Sequence, residues 1–165
     1  MVLVEPEIPQ NTGNIARLCA ATQSPLHLCG RLGFRIDEKS VRRAGVDYWH
    51  LVNLHVHPDF GTFALKHQTT GSGRVHLFSA NGAKSYVEAK FEPGDALVFG
   101  KESTGLSKEV LDRYPGSIYG IPTSGAVRSL NLASAAAIIV YEALRQAGGL
   151  EKPWLEGDEG PDFVR

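Results

Sequence analysis

Short apolar runs alternate along this chain with stretches in which apolar residues return every third or fourth position. MVLVE at 1–5 reads as a strand, and 11–23 follows as a helix that gathers Ile15, Leu18, Cys19 and Thr22 on one face. Residues 26–29 and 51–56 read as two further strands, and between them Asp37 is placed to cap a short helix ending before Gly45. Residues 58–67 have weaker helical character, and 74–80 and 95–99 read as strands. A helix is expected over 107–113 and a last strand over 117–121. The alanine-rich stretch 131–147 closes the pattern as a long helix stopped by Gly148 and Gly149.

Strands separated by helices at this rhythm predict an α/β fold, a mostly parallel sheet flanked by helices on both faces. Ligands of such sheets sit at the carboxyl ends of the strands. That rule directs attention to three loops, 6–14, 100–106 and 122–131, where glycine and polar residues concentrate.

Composition narrows the class. The chain has 165 residues, 42% apolar and 21% charged, as expected of one globular domain over residues 1–150. The last fifteen residues, 151–165, read as an acidic tail. Cys19 and Cys29 lack metal or redox spacing and read as reduced core thiols. No apolar run is long enough for a membrane span and the first residues do not read as a signal peptide, so a cytoplasmic protein is expected. The net charge of −1 hides an uneven distribution. Residues 1–150 carry fifteen basic against thirteen acidic side chains, while the tail carries two against five. Arg17, Arg31, Arg35, Lys39, Arg42 and Arg43 face only Asp37 and Glu38 within 14–43, a strip suited to phosphates or simply a solvated surface.

The usual signatures of α/β enzymes are absent: no G-x-G-x-x-G follows the first strand, and there is no Walker loop and no G-x-S-x-G elbow. His55 and His57 share a strand face, but no third ligand at metal spacing accompanies them, and no metal is expected. In PEIPQNTGN, Asn11 or Thr12 reads as a helix cap, while Arg17 on the following helix is suited to a bidentate phosphate or ribose contact. In VFGKESTGL, Gly100 allows close approach of a ligand or simply forms a turn, and Glu102 follows it. In IPTSGAVRSLN, Ser129 and Asn131 stand at a helix start, where capping alone would explain them.

Taken together, PEIPQNTGNIARLCAAT at 6–22, LVFGKESTGL at 97–106 and IPTSGAVRSLNLASAAAIIVYEAL at 121–144 resemble the three motifs of the SPOUT superfamily of RNA methyltransferases, in order. PEIPQNTGN near the start and RRAGVDYW at 42–49 resemble its minimal tRNA 2′-O-methyltransferases of the wobble position.

The resemblance implies a C-terminal trefoil knot and S-adenosylmethionine bound between the knot loops. It carries over Ala80, Gly100, Ile121, Ser129 and Leu130 as cofactor contacts. Arg17 is the family's candidate for activating the ribose hydroxyl, with Glu102 orienting it and Asn14, Ser129 and Asn131 completing the hydrogen-bonding shell. An arginine is a poor base, so a phosphate-binding role for Arg17 stays open. The implied partners are tRNA and a second copy of the chain, with Arg17 serving the partner's cofactor. Two other readings remain: the same reaction on another RNA such as ribosomal RNA, and a non-catalytic RNA-binding α/β module.

Overall fold

The computed structural model describes residues 1–34, 49–70 and 73–150. The acidic tail, the short helix expected after Asp37, and Arg35, Lys39, Arg42 and Arg43 lie outside the described residues. Among the described residues, seven strands form one parallel sheet: β1 (Val2–Val4), β2 (Leu26–Cys29), β3 (Leu54–His57), β4 (Val75–Phe78), β5 (Lys84–Ser85), β6 (Ala96–Phe99) and β7 (Ile118–Gly120). Their order is β3-β2-β1-β6-β4-β7-β5, so the chain runs outward from β1 and then returns to its other side.

Successive side chains of a strand point to opposite faces, and the sheet accordingly fills two cores. Leu3, Leu28, Phe78, Leu97 and Phe99 pack on one face with Ile15 and Cys19 of α1 (Pro9–Ala21) and Ala136, Ile139 and Val140 of α4 (Leu132–Gln146). On the other face Val2, Cys29, Val75, Leu77, Ala96 and Val98 meet Phe60 and Phe63 of α2 (Phe60–Thr69) and Val110 of α3 (Lys108–Arg113). Burial on both sides explains why β6 reads as an unbroken apolar run and β4 as one interrupted only by the buried His76. Both cysteines are buried free thiols, and burial pushes Cys19 up to about 11 and Cys29 up to about 12.

Expected boundaries shift where the local chemistry asks for it. β3 starts at Leu54, because Trp49–Leu51 turns as a 3-10 helix instead of extending. α2 starts one residue after Asp59, whose carboxylate accepts the Thr62 N–H. β5 has two residues, too few for a period to register.

A separate imidazole cluster lies on the α2 face of β2 and β3. His27 stacks on His55 with ring centroids 4.7 Å apart, and His27 Nδ1 and His57 Nε2, 3.0 Å apart, share a hydrogen bond. Phe63 of α2 covers His27 and His57. Burial is the main reason His27 is pulled down to about 3, with nearby positive groups adding to it.

Candidate active site

α1 begins with Pro9 at its first turn and Ile8 at the cap position, which offers no side-chain acceptor. The missing cap comes from ninety residues away. Glu102, in the turn after β6, accepts the Glu7 N–H at Oε2 (2.8 Å) and the Ile8 N–H at Oε1 (3.2 Å). Its negative charge thereby sits at the positive end of α1.

From Glu102 a relay of side-chain amides runs to the third loop. Asn11 Nδ2 donates to Glu102 Oε1 at 3.0 Å, and Asn131 Nδ2 donates to Asn11 Oδ1 at 2.9 Å. Asn131 Oδ1 accepts the Ala133 and Ser134 N–H groups at 2.9 and 3.3 Å and so caps α4. The direction of the relay is dictated by its end. An ionised carboxylate only accepts, so Asn11 must turn its NH₂ toward Glu102, which leaves its oxygen for Asn131. One acidic group therefore orients two amides and holds two helix starts together.

Between α1 and α4 lies an open groove of about 460 Å³ lined by Asn14, Arg17, Leu18, Ala21, Asn131, Ala133, Ser134 and Ala137. Asn14, Arg17 and Asn131, three of the five candidate catalytic residues, thus share one surface. Glu102 stands behind it, and its carboxylate is already engaged by three N–H donors, so the structure gives it the task of orienting α1. Ser129 lies in the exposed loop leading to Asn131, beside Leu130 with 37% of its surface exposed.

The cofactor candidates gather at the carboxyl ends of neighbouring strands. Ala80 follows β4, Gly100 follows β6 and Ile121 follows β7. The loops there press backbone to backbone. A Cβ on Gly100 would stand 2.2 Å from the carbonyl carbon of Gly105, and one on Gly82 would stand 2.3 Å from that of Tyr119. Chain packing alone therefore demands glycine at 100. Gly105 and Gly125 take the left-handed backbone with nothing near a would-be Cβ, and Val127 is 56% exposed. Bare backbone beside uncovered apolar side chains suits a flat heterocycle with polar edges, which fits the adenosyl part of the expected cofactor.

From the sequence, Asn11 reads only as a local helix cap. Its signal was there in the absence of a Ser, Thr, Asp or Asn before Pro9, since a helix start without a local acceptor calls for a distant one. Among the described residues no group of three or more His, Cys, Asp or Glu is gathered to hold a metal, and no helix is long and apolar enough to cross a membrane.

Comparison with known proteins gives a consistent picture. Residues 1–141 match the model of the SpoU rRNA Methylase family. A tRNA (cytidine(34)-2'-O)-methyltransferase of Burkholderia pseudomallei (strain 1106a) is 44% identical over 149 residues, covering 90% of this chain and 95% of its own length. The Yersinia pestis protein of the same name is 41% identical over 151 residues, covering 90% and 93%. A solved structure described as "Structural insights into the 2-OH methylation of C/U34 on tRNA" superposes with a TM-score of 0.82 at 50% identity, over 90% of this chain and 95% of that one. The SpoU methyltransferase AviRb from Streptomyces viridochromogenes, in complex with AdoMet, superposes with a TM-score of 0.73 at 27% identity, over 88% of this chain and 58% of that one.

Proposed function

The chain belongs to the SpoU rRNA methylase family, and from that premise we infer that it is a tRNA methyltransferase acting on the ribose 2′-hydroxyl of the wobble nucleotide, cytidine or uridine. The observation that carries this reading is the Glu102–Asn11–Asn131 relay, which joins all three motif loops into one site beside Arg17.

S-adenosylmethionine supplies an electrophilic methyl group on a sulfonium. The residues proposed to hold it are Ala80, Gly100, Ile121, Ser129 and Leu130, mostly through backbone groups, and no metal is assigned a part. A ribose hydroxyl is a weak nucleophile, so the protein must align it, ease away its proton and keep water out. A guanidinium is a poor base, and the fork of donors of Arg17 suits a phosphate flanking the target ribose. Held there, its charge would favour the negative charge that builds on the 2′-oxygen as the O–H bond breaks; the O–CH3 bond would form as the sulfonium S–CH3 bond breaks, with S-adenosylhomocysteine and one proton released. Asn14, Asn131 and Ser129 complete the hydrogen bonds to the nucleotide. Glu102 acts one step back, by fixing the helix that carries Arg17.

The working unit is proposed to be a cytoplasmic homodimer in which Arg17 of one copy serves the donor site of the other. In support, the α1–α4 groove is open, small residues line it, and Tyr141 of α4 is 49% exposed. The residues after β7 are proposed to thread the trefoil knot, which accords with the tight glycine contacts at 82 and 100. Residues 1–150 then form the methyltransferase domain and 151–165 a tail.

Arg17→Ala tests the assignment. Turnover at saturating tRNA should fall by about two to four orders of magnitude, with S-adenosylmethionine affinity by calorimetry close to that of the wild type. Full turnover recovered at high tRNA would show that Arg17 only adds uniform binding.

A further inference from the structure

We propose that Glu7 is a positioning residue of the methyl-transfer site, its carboxylate holding the apex of the 101–105 turn in the shape the donor meets. The inference rests on the functional reading above and gives a role to a residue of the first motif that does not line the groove. β1 and β6 are neighbours at the point where the strand order reverses, the place where open α/β sheets take their ligands. The segment leaving β1 and the turn leaving β6 therefore run side by side, and they are fastened in both directions. Glu102 accepts the Glu7 and Ile8 N–H groups, while the Ser103 N–H donates back to Glu7 Oε2 at 3.1 Å. Lys101 Nζ meets Glu5 Oε2 at 2.9 Å at the base of the same pair.

The turn closes at its base through Lys101 and Gly105, whose backbones exchange hydrogen bonds of 3.2 and 2.9 Å. Its apex, Ser103 and Thr104, is exposed, and there Glu7 supplies the hold. The Ser103 hydroxyl and N–H keep the Glu7 carboxyl below its ordinary range, so it remains an ionised acceptor at neutral pH. The Glu7 backbone is fixed in turn from the other side. The Gly33 N–H donates to Pro6 O at 3.0 Å, and a Cβ on Gly33 would come within 2.8 Å of the Glu7 backbone. Glu7 thus reaches from an anchored backbone to the apex of a turn whose other ties are the Lys101–Gly105 base and the Glu102 carboxylate. An exposed carboxylate contributes little to global stability, so its role should appear in donor binding and not in folding.

The test uses the intact protein with S-adenosylmethionine by calorimetry, and initial rates at saturating tRNA. Glu7→Ala should raise both the donor Kd and the donor KM about tenfold, leave kcat within about twofold and move Tm by no more than about 3 °C. Glu7→Gln, whose amide oxygen can still accept the Ser103 N–H, should restore wild-type donor affinity. Wild-type affinity in Glu7→Ala would overturn the inference, as would a joint fall of kcat, affinity and Tm, or a Gln variant no better than Ala. A wild-type protein that takes up no donor would overturn the functional reading together with this inference, whereas the preceding outcomes overturn the inference alone.

Discussion

Two polar clusters sit on the same sheet and solve burial in opposite ways. At the ligand end, backbone and amide N–H groups converge on the Glu102 carboxylate. On the β2–β3 side, burial first and the positive Met1 amine next pull His27 down, burial and Lys66 lower His57, and the neighbouring Asp59 is turned to the start of α2. The first cluster joins segments about a hundred residues apart and so fixes the geometry of a site. The second joins adjacent strands and fixes only packing. Function is therefore expected to follow the first, and acid sensitivity the second.

The largest effect should come from cutting the relay. Asn11→Ala leaves Glu102 and Asn131 each short of a partner and should cost about 2 kcal/mol, with methyl transfer falling further than stability does. Denaturant titration beside rate measurements checks this, and an equal loss in both would make the relay ordinary packing. Asn11→Asp should be worse, since it sets a second carboxylate against Glu102.

Acid comes next. The folded His27 holds its proton only near pH 3, whereas the unfolded chain takes one up near 6.5, so the unfolded state binds more protons between those values. Stability is then fully present above about pH 6.5 and declines as pH falls through that window. With the discount a half-exposed ring requires, about 1 kcal/mol should be lost by pH 5. His57, lowered chiefly by burial, adds in the same direction. His27→Gln keeps a partner for His57 but does not titrate, so its denaturation midpoint should change less between pH 7 and 5. An undiminished pH dependence in that variant would move the acid response elsewhere.

How much of this was legible in the sequence follows the same division. Strand and helix identities were readable because burial on two faces writes apolar runs such as ALVF, and because Asn131 and Ser107 cap their helices locally. α1 begins two residues earlier than its apolar period suggested, because its cap is Glu102, far away in the chain. Arg17, Asn14 and Asn131 were found by motif and do share a groove, but the Asn11 link and the Glu7 clasp depend on which loops the sheet order brings together. Periodicity carries no information on that. His27 was overlooked for a similar reason: only the β2–β3 register places it opposite His55.

The smallest effect should come from the rim. Arg31, exposed just past β2, lies in the basic strip but outside both clusters. Arg31→Ala should weaken tRNA binding a few-fold and lower the salt slope by about one unit, with kcat at saturating tRNA unchanged.

The most direct measurement is to incubate the purified protein with labelled S-adenosylmethionine and, in parallel, total tRNA or ribosomal RNA, digest the products and map the label. The account predicts label on the ribose of the wobble nucleotide, as 2′-O-methylcytidine or 2′-O-methyluridine, and none on ribosomal RNA. Label on a base, at another tRNA position or on ribosomal RNA alone would contradict it.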